Sequence, residues 1–207
     1  WIDSALTSDA VLIKRSGLPR YASSNVSRAF SRLRSFKSSE LSDLSYKLNS
    51  VSEPIMVLPG RKRGGSGLGL LVANLIYSSE SRTILVDFFG QISGLQSGEE
   101  RSDFAVHSIE TGFDIAVPLS AESVEARVVA KPNYIESLKD LTKEYDRVVL
   151  LVAPLQRADY LAAALNDWSP TIVTDVASGQ TTLQKLEKLS TLYLANKDNK
   201  GGLLVIC

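Results

Sequence analysis

Residues 53–87 read EPIMVLPGRKRGGSGLGLLVANLIYSSESRTILVD, and the rest of the chain is arranged around them. An apolar run, Ile55-Met56-Val57-Leu58, feeds a loop of glycine and basic residues. A second apolar run follows at helical spacing from about Leu68, and a β-type run, residues 83–86, ends on Asp87. Strand, Gly-rich loop, helix and strand in that order predict a βαβ unit. Gly64, Gly65 and Gly67 let the backbone approach an anion closely and turn its N–H groups inward. The helix that follows adds the positive end of its dipole, which completes the physical recipe of a phosphate cradle.

The chemical residues of such a cradle are absent. A P-loop of the form GxxxxGK[ST] uses a lysine on the terminal phosphates and a hydroxyl on magnesium. Here those two positions hold Leu68 and Gly69. The stretch from Arg63 to Gly69 resembles the deviant Walker A loop KGGxGK[ST] of MinD/ParA-type ATPases. Its glycines match, and Arg63 replaces the first lysine, keeping the charge but not the geometry.

A chain of 207 residues is long enough for one α/β domain with a flanking segment. Net charge is zero but unevenly placed. Residues 1–63 hold 11 Lys/Arg against 5 Asp/Glu, a balance of +6, and the remainder hold 12 against 18, a balance of −6. A basic leading segment before an acidic body suits a juxtamembrane stretch facing anionic lipid or a nucleic-acid arm, and equally a solvated face with no partner. The single cysteine, Cys207, excludes an internal disulfide framework and fits a reducing compartment. No run reaches the ~20 apolar residues of a membrane span. The start on Trp1 suggests a piece of a longer protein.

Residues 1–24, with Gly17 and Pro19, read as a tether. From Asn25, Val26, Ala29, Phe30, Leu33 and Phe36 recur at helical spacing among Arg28, Arg32 and Arg34, predicting a basic amphipathic helix. A second helix is expected over residues 38–48. The division is then a tether with basic helices over 1–50 and an α/β unit over 51–207, compact as a whole. Beyond Asp87, residues 90–101 read as a Gly/Ser/Glu loop and residues 113–117 as a short strand. Ser120 caps an expected helix over 121–130. Another opens at Pro132-Asn133, with Tyr134, Leu138, Leu141 and Tyr145 on one face. The unbroken apolar run 148–152 predicts a strand covered on both faces. A helix over 157–167, a strand at Ile172-Val173, a helix over 180–193 and a strand over 203–206 follow. Strands alternating with helices predict an α/β fold with a mainly parallel sheet flanked by helices, and the resemblance of the glycine loop implies that it is P-loop NTPase-like, of the MinD/ParA type.

Across nearly its whole length the chain resembles the cytoplasmic domain of the bacterial tyrosine kinase and polysaccharide co-polymerase family. Gly17-Leu18-Pro19 is similar to the GLP after that family's second membrane helix. Arg28 to Arg34 is similar to its EAFRxLR helix. Ala73-Asn74-Leu75 matches the ANL of its P-loop helix, and Ile84 to Asp87 its Walker A′ strand. Ser97-Gly98-Glu99, Phe104, His107 and Gly112-Phe113 look like the SGE…F…H…GL segment of rhizobial-type members. Tyr145 to Val149 resembles the YDxVI before Walker B, and Gly202 to Ile206 the GVVL strand. The resemblance implies a place at the cytoplasmic face of the bacterial inner membrane. It also implies as partners the protein's own membrane-spanning and periplasmic region and polysaccharide export proteins, with self-association and no nucleic acid.

The resemblance also implies Mg-ATP and phosphorylation of a tyrosine cluster on the protein's own tail, and here the residues depart from it. Beside Leu68 and Gly69, the second Walker A′ carboxylate falls on Phe89 and the Walker B aspartate on Leu151. The ring-forming ExxRxxR helix reads Arg28, Ser31, Arg34, and no tyrosine cluster ends the chain. Phosphoryl transfer is nearly all positioning and electrostatic stabilisation, and losing one such donor commonly costs ~10²–10³ in rate. The expectation is therefore a silent domain with no catalytic residue, no metal site and no required cofactor. Any remnant of nucleotide binding would lie at Arg63, Gly64, Gly65, Ser66, Gly67 and Asp87, and Mg-ATP would bind weakly. The competing readings are a weak nucleotide-binding enzyme that uses Lys62 and Arg63, and a MinD/ParA-type ATPase relative. His107, the only histidine, has no second His or Cys nearby and reads as structural.

Overall fold

The computed structural model describes residues 20–24, 42–52, 54–59, 65–78, 80–95, 97–109, 112–119, 134–152, 164–165, 168, 170–177, 184, 187–188, 191 and 201–206. Its strands are β1 (Arg20–Ser24), β2 (Ile55–Leu58), β3 (Thr83–Asp87), β4 (Glu99–Arg101), β5 (Phe104–Ser108), β6 (Asp114–Pro118), β7 (Arg147–Leu151), β8 (Thr171–Ala177) and β9 (Gly201–Ile206). Three helices, α1 (Ser42–Asn49), α2 (Gly65–Ile76) and α3 (Tyr134–Thr142), are described in full.

The strands form one sheet in the order β1-β9-β8-β2-β7-β3-β6-β5-β4. From β1 to β6 every pairing is parallel, and β6-β5-β4 is antiparallel. Parallel strands need crossovers, and the helices that supply them cover both faces. Accordingly β2 and β3 are buried along their whole length. Alternate residues serve opposite faces. Ile55, Val57, Leu85, Val149, Leu151 and Val173 share one core with Leu44 and Leu48 of α1 and Leu68, Leu71, Val72 and Ile76 of α2. Met56, Leu58, Ile84, Val86, Leu150 and Ile172 share the other with Leu138 and Leu141 of α3. This is the predicted mainly parallel α/β sheet flanked by helices.

Several elements differ from the sequence reading. Arg20–Ser24, read as part of the tether, is an edge strand paired in parallel with β9. Its partner lies at the far end of the chain, so no local pattern announces it. The span read as a loop to Arg101 ends in β4, which pairs with β5 to make a hairpin. Ser102 opens its two-residue turn at φ 55°, in the left-handed region, without the glycine or asparagine that usually marks such a turn. Tyr145 lies beyond the end of α3 but still packs into that core, 8% exposed. α2 begins at Gly65, a turn before the expected Leu68. The expected helices over 25–36 and 121–130 lie outside the described residues. So does most of those over 157–167 and 180–193.

Candidate functional site

The carboxyl ends of the central parallel strands are where an α/β sheet of this kind presents a ligand site. In register, Leu151 of β7 stands between Val57 of β2 and Asp87 of β3. The Val152 N–H donates to the Val57 carbonyl at 3.0 Å, and the Phe88 N–H to the Leu151 carbonyl at 3.3 Å, so the three chain ends are stitched together. On the other side of β2 the Thr174 hydroxyl donates to the Leu58 carbonyl at 2.7 Å and fixes the point where the glycine loop departs. Gly65 and Gly67 form the first turn of α2. Glycine is a poor helix former, and the turn is held by the apolar face that follows, where Leu68, Leu71 and Val72 are almost fully buried. Arg63, Gly64, Lys62 and Arg61 lie outside the described residues, as do Arg28, Ser31 and Arg34. Of the expected remnant, the described residues include the backbone of Gly65 to Gly67, at the start of α2, and the side chain of Asp87, at the end of β3.

Asp87 is fully buried. One of its oxygens accepts the Ile92 N–H at 2.7 Å and the other the Phe89 N–H at 3.3 Å. Burial raises its pKa above the ordinary carboxyl value, and hydrogen bonds from the backbone of the following loop oppose that rise. Both oxygens therefore anchor the chain that leaves β3. These bonds use part of the carboxylate's acceptor capacity of about four lone-pair sites. Phe89, where the second carboxylate was sought, packs against the apolar core instead.

The positions expected to carry chemistry are apolar and inside. Leu68 is 1% exposed and Leu151 0%. Gly69, one turn into α2, lies directly over Leu151. A Cβ built on Gly69 would stand 2.9 Å from Leu151 Cδ2, 3.2 Å from Cδ1 and 3.3 Å from Cβ. Sequence reasoning had both residues, each as an isolated loss, and missed that they touch. The available signal was the joint occurrence of glycine at 69 and leucine at 151, since a P-loop hydroxyl and a Walker B carboxylate serve one cation.

His107 lies on β5 across the hairpin from Gly98. A Cβ at Gly98 would stand 2.7 Å from its ring, so the glycine lets the imidazole lie against the backbone. Among the described residues there is no group of three or more His, Cys, Asp or Glu able to hold a metal ion. Nor is any helix among them long and apolar enough to cross a membrane.

The strand order, the crossover helices and a Gly-rich turn at the carboxyl end of the first central strand define a P-loop NTPase-like α/β fold. No protein-family model matches the chain, and no curated protein matches it. Solved structures do. The BceF tyrosine kinase domain superposes with a TM-score of 0.72 at 14% identity, covering 98% of this chain and 100% of that one. The kinase domain of the Escherichia coli tyrosine kinase ETK gives 0.70 at 13% identity, covering 97% and 94%. The VpsO kinase domain gives 0.64 at 19% identity, covering 81% and 92%. Within the P-loop class, then, the chain has the fold of these tyrosine kinase domains, at identities where likeness speaks for the fold alone.

Proposed function

We propose that this chain is a catalytically inactive, P-loop-like regulatory domain of a membrane protein for exopolysaccharide biosynthesis, chain-length control or export. It belongs, on this reading, to the bacterial tyrosine kinase and polysaccharide co-polymerase family and works at the cytoplasmic face of the inner membrane. The observation that carries the inactivity is the buried leucine at 151, packed under Gly69 where a P-loop enzyme holds its cation. A site that transfers phosphoryl groups needs that cation to neutralise charge developing between the phosphates. Asp87 supports the same reading, since its two oxygens serve the backbone of its own loop.

On this account the leading segment 1–50 links the α/β unit 51–207 to the membrane-spanning part of the protein, and its basic residues face anionic lipid. The domain acts by contact with its own membrane and periplasmic region and with export proteins. A thermal-shift scan with millimolar Mg-ATP tests the reading. Ligand at 100 times its Kd adds about 2.7 kcal/mol of stability, so even modest binding raises the Tm visibly. The expected result is no rise. A rise abolished by Asp87→Ala would favour a weak nucleotide-binding enzyme instead.

A further inference from the structure

Gly69 lacks the ordinary reasons for a glycine. It sits inside α2, where glycine is a poor choice beside alanine. It is not among the glycines at positive φ, which among the described residues are Gly90, Gly94 and Gly112. What distinguishes it is contact. Any Cβ there would press on Leu151 at 2.9 Å, closer than such atoms approach in real structures. Leu151 has little freedom to yield. It is fully buried on a strand flanked on both sides, in a core shared with Val57, Leu85, Val149 and Val173.

We infer that Gly69 and Leu151 are one interlocked packing unit, in which the leucine side chain fills the seat that a P-loop protein reserves for its hydroxyl and divalent cation. The inference rests on the proposed silent site and gives that silence a steric cause in addition to a missing ligand set. Loss of the hydroxyl and loss of the carboxylate are then a single linked change. While residue 151 is leucine, no side chain returns at 69 without displacing it. The reverse also holds: shortening Leu151 opens a void that a methyl group at 69 would partly fill.

The test is a double-mutant cycle in urea on the whole chain, with parent, Gly69→Ala, Leu151→Ala and the pair. Helix propensity alone predicts that Gly69→Ala raises the unfolding midpoint in every background. The interlocked unit predicts a change of sign: Gly69→Ala lowers the midpoint of the parent and raises that of Leu151→Ala. Should Leu151→Ala not fold, Leu151→Val provides the shortened background, with the same reversal expected. A midpoint raised by Gly69→Ala in both backgrounds, or lowered equally in both, overturns the inference. The outcome is independent of the nucleotide scan. A failed cycle leaves the silent reading standing, whereas a parent stabilised by Mg-ATP removes that reading even if the cycle behaves as expected.

Discussion

Restoring the two P-loop side chains, Leu68→Lys with Gly69→Ser, should damage the fold without restoring the chemistry. Leu68 is 1% exposed in the α1/α2 core. Burial of such a side chain contributes about 1.5–3 kcal/mol, which lysine forgoes except for what its stem recovers while the ammonium reaches for water. At position 69 the serine Cβ would meet Leu151 at 2.9 Å, and overpacking a well-filled core costs about 1–3 kcal/mol. Together these amount to about 2.5–6 kcal/mol, against a total stability of about 5–15 kcal/mol for a domain of ordinary stability. With a urea slope of about 2 kcal/mol per molar, the unfolding midpoint should fall by about 2 M. The same samples, assayed for ATP hydrolysis below the unfolding transition, should show no turnover approaching the ~1–100 s⁻¹ of kinases. Leu151 and Phe89 still supply no carboxylate, and Asp87 remains engaged by its own loop. A double variant as stable as the parent that hydrolyses ATP at such rates would refute both the packing argument and the placement of the lost carboxylates.

Asp87 carries a pH signature. Burial raises its pKa in the folded state, so its contribution to stability is complete below the unfolded value of 3.8 and declines as pH rises through the folded value. Asp87→Asn should remove that decline, and urea midpoints of both proteins between pH 4 and 7 check it. A parent that instead gains stability relative to the variant over that range would contradict the assignment. Tyr145 donates to Asp114 at 2.8 Å, and burial first, then that hydrogen bond, push its pKa up to about 12. Tyr145→Phe should cost about 1.5 kcal/mol at neutral pH, the scale of a hydrogen bond to a charged acceptor. It should also abolish the loss of stability expected as the parent passes from pH 10 towards about 12. Finally, on the proposed family reading, Arg28, Ser31 and Arg34 stand where the resemblance implies a glutamate and two arginines, and a contact between two such basic segments would set like charges against each other. Light scattering should find a monomer or weak dimer, not an octamer-sized species that Arg34→Ala dissolves.

Much of the sheet was legible because its signals are local. The runs Ile55–Leu58 and 148–151 are apolar without alternation, as strands covered on both faces must be. Two short elements escaped for the opposite reason. β1 is held by a partner at the other end of the chain, and β4 offers only Glu99, Glu100 and Arg101, with no apolar face. At the site, Leu68, Gly69, Phe89 and Leu151 could be compared one by one with the P-loop pattern. Their joint packing could not, because contact between Gly69 and Leu151 exists only once α2 lies over β7. Asp87 showed only part of its role in sequence, where its position suggested a cofactor contact. Its hydrogen bonds to the Phe89 and Ile92 N–H groups depend on how the loop after β3 folds back.

The central claim is that this P-loop fold has dropped its nucleotide chemistry, and calorimetric titration of the parent chain with Mg-ADP and Mg-ATP addresses it most directly. Any protein Kd below about 1 mM corresponds to more than about 4.1 kcal/mol of binding free energy and is accessible at high protein concentration. The account predicts no saturable heat above dilution for either nucleotide. A saturable isotherm that requires magnesium and disappears with Asp87→Ala would contradict it.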